Sequence, residues 1–409
     1  MRLCIFTNHF YPEDFKVNDI AFELAKKGYE ITVITAIPDY PQGKFYKGYS
    51  LFKRRKEAIN GVKVIRLPII PRGRGGKAAL VLNYLSYFAS AMLFVFFHAA
   101  ANRYDAVFVH LTSPFFIALP AVFLKRKQHI PLIFWVLDLW PESLQAAGGI
   151  NNRFILNTQI KFVQYVYDNC DKILIGSDGF RKSICGKGNY HDKIVHFPNW
   201  AEAVTPPKDA SVYRNIEPFA HFTADDFIVL FAGNMGKAQN LDSVLDAASE
   251  LKENQNIKFV FLGDGRQKEK LTEKTKELEL SKTVFFPGHY PLNTMPIFME
   301  MAHLLLVSLS DELLFNITVP SKIQFYMSQG KPIIAMLNGE GAELINKAKC
   351  GASVPAGNSL MLSKTINDFY NMPKEKLNIM GCSGREYYDK HFQKNDRIEQ
   401  LEFILKQHI

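Results

Sequence analysis

The chain predicts an α/β fold with two parallel sheets, each covered by helices on both faces. Three observations carry that expectation. Short apolar runs alternate with helical patterns along nearly all 409 residues, as strand–helix–strand units do. That length exceeds one ordinary core and suits two domains of roughly 200 residues each. The stretch from Asn199 to Asp226, with Pro206-Pro207 and no strong period, separates two such series and reads as a linker.

In the first series, strands are expected near residues 2–7, 30–35, 62–67, 105–110, 132–136, 171–176 and 193–197. Helices are expected near 16–28, 78–102, 114–126, 153–170 and 178–187. The opening Met1-Arg-Leu-Cys-Ile-Phe-Thr7 is a buried-strand pattern and not a signal peptide. In the second series, strands are expected near 228–232, 257–262, 283–287, 303–308, 332–336 and 352–354, and a helical tail over 373–408. The expected division is 1–198, a linker 199–226, a second domain 227–390, and a final segment 391–409 that packs back on the first domain. Two Rossmann-like domains of this kind place ligands at the carboxyl ends of their strands, in a cleft between them.

Composition narrows the class. A hydrophobic fraction of 47% is that of a globular protein. The five cysteines (Cys4, Cys170, Cys185, Cys350, Cys382) are dispersed and lack metal-ligand spacing, which argues for reduced thiols and against a structural zinc. Residues 1–200 carry 26 Lys and Arg against 14 Asp and Glu, whereas the remainder carries 23 against 26. The basic excess lies at Lys53-Arg-Arg-Lys56, at Arg72, Arg74 and Lys77, and at Lys125-Arg-Lys127. No nucleic-acid-binding signature accompanies these clusters, so an anionic membrane surface is the expected partner.

Residues 78–102 contain no Asp, Glu, Lys or Arg. Asn83, Ser86, Tyr87 and Ser90 form a polar stripe, with Val81, Tyr84, Leu85, Phe88, Met92, Val95 and Phe96 opposite. An interfacial helix is the first reading, a core helix the second and a membrane span the third.

The most informative stretch is Val319-Pro-Ser-Lys-Ile-Gln-Phe-Tyr-Met-Ser-Gln-Gly-Lys-Pro-Ile-Ile334, followed by Asn338-Gly-Glu-Gly-Ala-Glu343. It reads as a helix capped by Thr318, with Pro320 and Ser321 in its first turn, then a strand and a second helix. Lys322 falls in that first turn, where the helix dipole disfavours a cation, so an anion such as phosphate is expected there. Turns with glycine follow several strands in one register: Gly233-Asn-Met-Gly-Lys237, Gly263-Asp-Gly265 and Pro287-Gly-His-Tyr290. Together with Lys322 and Gly339–Gly341 they predict a nucleotide-diphosphate site. In the first domain, Asp138-Leu-Trp-Pro-Glu142 ends an apolar strand. It reads either as a helix N-terminus with a core tryptophan or as an acceptor contact. His9 and His110 also end strands and read as structural histidines.

These motifs resemble those of GT-B glycosyltransferases of family 4, and among them the WbuB-like L-fucosamine transferases of bacterial surface polysaccharide synthesis. The resemblance runs through Phe10-Tyr-Pro-Glu13, Asp39-Tyr-Pro41, His110-Leu-Thr-Ser-Pro114, Asp138-Leu-Trp-Pro-Glu-Ser143 and Pro198-Asn-Trp200. It continues through Ala232-Gly-Asn-Met-Gly-Lys-Ala-Gln239, Val319-Pro-Ser-Lys322 and Gly339-Glu-Gly341. It implies sugar transfer with retention from a nucleotide sugar, UDP-linked by the same resemblance, with no cofactor and no essential metal. The implied acceptor is a polyprenyl-diphosphate-linked glycan at the cytoplasmic face of the cell membrane, with no nucleic acid involved. Expected catalytic residues are Asp138 and Glu142, and expected acceptor contacts are Glu13 and Trp140. Expected donor contacts are Gly233, Asn234, Gly236, Lys237, His289, Ser321, Lys322, Glu340, Gly341 and Glu343.

The chain departs from the family at four places. Asn234 and Gln239 stand where relatives carry an arginine and a lysine, which leaves Lys237 and Lys322 to neutralise a diphosphate. Phe325 and Ile317 stand at or near the positions of two glutamates, of which the second holds ribose; Glu340, then Glu343, are the candidate replacements. A non-catalytic nucleotide-sugar scaffold, a GT-B epimerase and a nucleic-acid-binding protein are the rival readings.

Overall fold

The structure, a computed structural model, describes residues 1–73, 76–111, 113–144, 152–201 and 215–408. Arg74, Thr112 and Pro206-Pro207 lie outside the described residues. Two compact units result: Met1–Pro198 with Asn395–Ile409, and Asn199–Lys394. Asn199 and the described end of the expected linker therefore belong to the second unit.

The first unit is built on an eight-stranded sheet: β1 (Arg2–Phe6), β2 (Glu30–Ala36), β3 (Lys56–Ile59), β4 (Val62–Leu67), β5 (Ala106–Leu111), β6 (Leu132–Val136), β7 (Lys172–Ile175) and β8 (Ile194–His196). The strand order is β3-β4-β2-β1-β5-β6-β7-β8. Every pair is parallel except β3–β4. The central strands are buried on both faces, which is why they read as continuous apolar runs. Strand β3 is absent from the sequence expectations because it is a short charged edge with no apolar run. Its signal is Asn60-Gly61, both at positive φ, the pairing that a tight hairpin turn needs.

Helices α1 (Lys16–Lys26), α2 (Lys77–Ala101), α3 (Leu119–Gln128), α4 (Arg153–Asn169) and α5 (Gly179–Cys185) cover this sheet. α2 is turned inside out. Its polar stripe faces the domain: Asn83 and Tyr87 are buried. The Asn83 amide reaches Ile70 O and Asp39, the Tyr87 hydroxyl reaches Thr7 O, and the Ser90 hydroxyl reaches Pro68 O. Leu82, Leu93, Phe96 and Phe97 are exposed instead, Phe97 by 71%. Of the apolar stripe read from the sequence, Val95 is buried and Val81, Leu85 and Phe96 are exposed. The segment Ala78–His98 is long and apolar enough to cross a membrane by length and composition.

The second unit has a wholly parallel six-stranded sheet of β9 (Phe227–Ala232), β10 (Ile257–Leu262), β11 (Val284–Gly288), β12 (Leu304–Ser308), β13 (Ile333–Met336) and β14 (Gly351–Val354). Its order is β11-β10-β9-β12-β13-β14. Alternate residues feed two cores, with Leu230, Val260 and Leu305 on one face and Phe231, Phe261 and Leu306 on the other. The helices are α6 (Leu241–Glu250), α7 (Lys268–Glu277), α8 (Met295–Met301), α9 (Leu313–Asn316), α10 (Ser321–Ser328), α11 (Glu340–Ala348), α12 (Ser359–Tyr370) and α13 (Lys374–His391). Thr318 does not cap α10. Its hydroxyl donates to Leu314 O in the preceding turn, and the residue before the helix is Pro320.

The expected single helical tail is two helices, broken at Phe392-Gln393. The second, α14 (Lys394–Gln407), packs with the first unit, where Glu402 accepts from Lys27 (2.8 Å) and from the Tyr29 hydroxyl (2.9 Å).

Candidate active site

In each sheet the strand order reverses once, between β1 and β5 and between β9 and β12. Ligand sites in open parallel sheets form outside the carboxyl ends of the strands at such reversals. Each unit places a polar cluster there.

In the second unit the turn after β9 begins with Gly233 at φ 142°. A Cβ on this residue would lie 2.5 Å from Lys322 Cε, so only glycine leaves room for that side chain. Lys322, in the first turn of α10, donates to Gln239 Oε1 at 2.9 Å and sits 4.4 Å above the Phe231 ring. It is half-buried and makes no ion pair with any carboxylate among the described residues. Burial pushes its pKa down to about 8. An ammonium held only by an amide oxygen and a ring is electrostatically unfinished, and a diphosphate would complete it. Gln239 holds Lys322 in place. Sequence reasoning missed that pairing because the two residues are 83 positions apart.

The remaining donor expectations divide. Ser321 is exposed in the first turn of α10, and Asn234 and Lys237 are exposed on the Gly233 turn, which Ser310 N fastens through Ala238 O at 2.9 Å. Gly236 lies beside the Asn234 amide. Gly339, at φ 72°, opens α11. Glu340 is half-buried at that helix's first position, and Glu343, one turn on, is exposed. Gly341 is buried in the first turn of α11. A Cβ there would crowd Leu337, Ile323 and Pro320, so its smallness serves apolar packing. His289 is exposed at the end of β11. Phe325 packs against the core, which excludes a ribose contact from that side chain.

A Cβ at residue 339 would lie 1.9 Å from Asn316 O. Gly339→Ala should therefore push the α9 segment and α11 apart and weaken nucleotide binding. Titration calorimetry with UDP should show the loss, alongside a lowered Tm.

In the first unit, Glu13, Asp39, Arg72, His9 and His110 form one buried network beyond β1, β2 and β5. Glu13 Oε1 accepts from the N–H groups of Asp39 (2.9 Å) and Tyr40 (2.7 Å), and its Oε2 pairs with His9 Nδ1 at 2.8 Å. His9 Nε2 meets Arg72 at 2.6 Å. Arg72 lies 3.5 Å from Asp39 Oδ1 and over the rings of Tyr40 and Tyr84. Burial raises the Asp39 pKa, against the opposing pull of Arg72. Burial and neighbouring His9 hold the His110 pKa down at about 3, so its ring is neutral. The Thr7 hydroxyl donates to His9 O, so toward His110 it accepts and Nδ1 of His110 carries the proton.

Three expectations change here. Glu13 is 2% exposed with both oxygens taken, so it positions the Asp39 loop and does not meet an acceptor. Arg72, expected on a membrane-facing basic patch, points inward with 14% of its side chain exposed. Trp140 is buried, its indole N–H donating to Asp138 Oδ2, and offers no open face to a sugar.

Asp138 is half-buried. Burial raises its pKa, against hydrogen bonds from Ser143 and Trp140. Glu142 is held by Lys187 and the Ser183 hydroxyl, each at 2.6 Å. Burial alone would raise its pKa, but the charge and hydrogen bonds of Lys187 outweigh it and the net shift is downward. Only Oε1 is engaged in this way; the buried Oε2 has no hydrogen-bond partner among the described residues, so Glu142 and Asp138 both remain candidates for chemistry.

Comparison with known proteins finds a family match on each half of the chain. Residues 16–200 match the glycosyl transferase 4-like domain, and residues 214–387 match glycosyl transferases group 1. The chain is 25% identical over 312 residues to the probable glycosyltransferase WbjE of Pseudomonas aeruginosa, covering 74% of this chain and 76% of that one. It is 24% identical over 302 residues to the putative colanic acid biosynthesis glycosyl transferase WcaI of Escherichia coli K12, covering 70% and 72%. Among solved structures, sucrose-phosphate synthase of Thermosynechococcus elongatus aligns over 99% of this chain and 98% of its own, with TM-score 0.75 at 15% identity. Anabaena Alr3699/HepE in complex with UDP aligns over 100% of both chains, with TM-score 0.70 at 14% identity.

The two parallel-sheet units make this a GT-B protein, and the domains they contain make it a glycosyltransferase. Its N-terminal half is a glycosyl transferase 4-like domain and its C-terminal half belongs to glycosyl transferases group 1.

Proposed function

We propose that this enzyme transfers an N-acetylamino (deoxy)hexose, with retention, from a UDP-sugar to a polyprenyl-diphosphate-linked saccharide during capsule, O-antigen or related glycan assembly. The observation that carries the donor assignment is Lys322, a half-buried ammonium against the Gly233 turn with no carboxylate partner among the described residues. The name of WcaI, a putative colanic acid biosynthesis glycosyl transferase, supports a polysaccharide acceptor, and the UDP held by HepE supports the nucleotide.

In this reading the nucleotide sugar is the substrate and no resident cofactor takes part. Lys322, Lys237 and the free N–H groups at the start of α10 stabilise the charge that develops on the departing diphosphate, without an essential metal. That departing group also takes the acceptor proton, so no enzyme nucleophile is required. Asp138 orients the attacking hydroxyl. The His9–Glu13–Asp39–Arg72 network fixes the loops around it, supplying the positional part of catalysis.

The same reading places the enzyme peripherally on the cytoplasmic face of the membrane, with the exposed apolar face of α2 in the lipid interface. The inward polar stripe supports an interfacial helix over a span, because its hydrogen bonds hold α2 on the domain. Replacing Leu93, Phe96 and Phe97 by Ser should abolish co-sedimentation with phosphatidylglycerol-containing vesicles and leave the Tm unchanged. Retained vesicle binding would remove α2 from the interface.

The decisive assay is UDP release by the purified enzyme across UDP-N-acetylamino sugars, with a lipid-diphosphate-linked sugar acceptor in anionic vesicles. Acceptor-dependent release with one donor is expected. Silence across UDP, GDP and dTDP donors, with nucleotide still bound, would make the protein a scaffold; the apolar Phe325, where relatives carry a ribose-binding acid, favours that second reading.

A further inference from the structure

A groove of about 890 Å³ runs between α2, α3 and α4 in the first unit, apart from the polar cluster at the strand ends. Its walls are apolar, formed by Phe88, Met92, Phe123 and Phe162 among others, and three cations stand on it: Arg126, Lys127 and Lys161. The Lys127 ammonium lies over the rings of Phe96 (5.1 Å) and Phe123 (5.9 Å), and Arg126 lies over Tyr165 (5.2 Å). None of the three has a carboxylate partner among the described residues. The helices that form the groove also carry exposed apolar residues, Leu93, Phe96 and Phe97 on α2 and Phe154 and Ile155 on α4.

An apolar slot of this volume is within the range of small-ligand sites. Aliphatic contact alone would accept any hydrocarbon. Arg126 donates to Asn169 Oδ1 and Lys127 to Phe96 O, both neutral acceptors, so the three cations at this slot keep their charge uncompensated and select a hydrocarbon that carries negative charge. We infer that this groove holds one acyl chain of an anionic glycerophospholipid, with the lipid phosphate on Arg126, Lys127 and Lys161. This inference rests on the membrane-surface reading above and adds to it a discrete lipid site.

Two tryptophan reporters separate the two claims: Phe162→Trp in the groove wall and Phe97→Trp on the outer face of α2. Each full-length variant is mixed with phosphatidylcholine vesicles doped with a minor fraction of bromine-labelled phosphatidylglycerol or bromine-labelled phosphatidylcholine. The Phe162→Trp reporter should be quenched several-fold more by the anionic label, whereas the Phe97→Trp reporter should respond similarly to both. Adding Arg126→Gln, Lys127→Gln and Lys161→Gln should erase the preference of the first reporter. Equal quenching of the groove reporter by both labels, with the α2 reporter quenched, overturns the groove and leaves the membrane reading standing. No quenching of either reporter overturns both. Loss of the anionic preference when undecaprenyl phosphate is doped in would give the groove to the acceptor's isoprenoid chain and overturn the phospholipid assignment.

Discussion

Lys322→Ala should lower UDP affinity about 10–100-fold, the effect of removing a charge-assisted contact worth roughly 1.5–3 kcal/mol. kcat/KM for the donor should fall at least as far, because the same ammonium meets more charge in the transition state. Stability should not fall with it. Burial holds the Lys322 pKa at about 8, below its ordinary value, so the free protein gains nothing from this charge. The sign of the pH dependence follows. In the folded free enzyme the ammonium deprotonates as pH rises through about 8, so UDP affinity should decline above that pH. Stability should increase slightly from there toward the unfolded lysine value, because the unfolded chain binds the extra proton across that window. Calorimetric titration of UDP from pH 7 to 9.5, with Lys322→Arg as a permanently charged control, checks both directions. An affinity that is flat with pH and unchanged in Lys322→Ala would remove the diphosphate from this site.

Arg72→Ala should be the most destabilising single change in the first unit. The guanidinium joins His9 Nε2 and Asp39, and its loss leaves the Asp39 carboxylate buried without its cation. Breaking a buried pair from one side costs about 3–5 kcal/mol. In a unit of this size that lowers the Tm by about 10 °C. The backbone N–H of Arg72, which donates to Asp39 Oδ2, and that of Gly73, which donates to Gly43 O, survive this change, so the loop keeps its backbone ties but loses its side-chain anchor to His9, and acceptor KM should rise. Differential scanning calorimetry of Arg72→Ala and of the double variant with Asp39→Asn separates the two contributions. The double variant should recover part of the loss, since the stranded charge is gone. A Tm unchanged in Arg72→Ala would mean that the network does not hold this loop.

These two residues also mark how far the sequence was legible. The parallel sheets were readable because strands buried on both faces leave uninterrupted apolar runs, as Leu132-Ile-Phe-Trp-Val136 and Phe227-Ile-Val-Leu-Phe-Ala232 do. Lys322 was readable because its conflict with the helix dipole is local. Arg72 was not. It sits in a basic run that locally resembles a surface patch, and its partners His9 and Asp39 lie 63 and 33 residues away. Glu13 and Trp140 were placed by motif on the acceptor, yet backbone amides 26 and 27 residues on claim the first, and packing closes the second. Helix α2 was half legible. The sequence shows two stripes, but only the hydrogen bonds of Asn83, Tyr87 and Ser90 decide which one faces inward.

The placement of α14 with the first unit bears on how the chain emerges from the ribosome. Ile398, Leu401, Ile404 and Leu405 are buried, and Glu402 ties Lys27 and Tyr29 together, so the segment after α1 waits for a helix translated after the whole second unit. The whole second unit is synthesised in between. At ordinary elongation rates that interval is roughly 10–40 s, during which the nascent first unit lacks its closing helix while α2 already presents an apolar face. A messenger truncated before Asn395 would leave that early half without its closing helix.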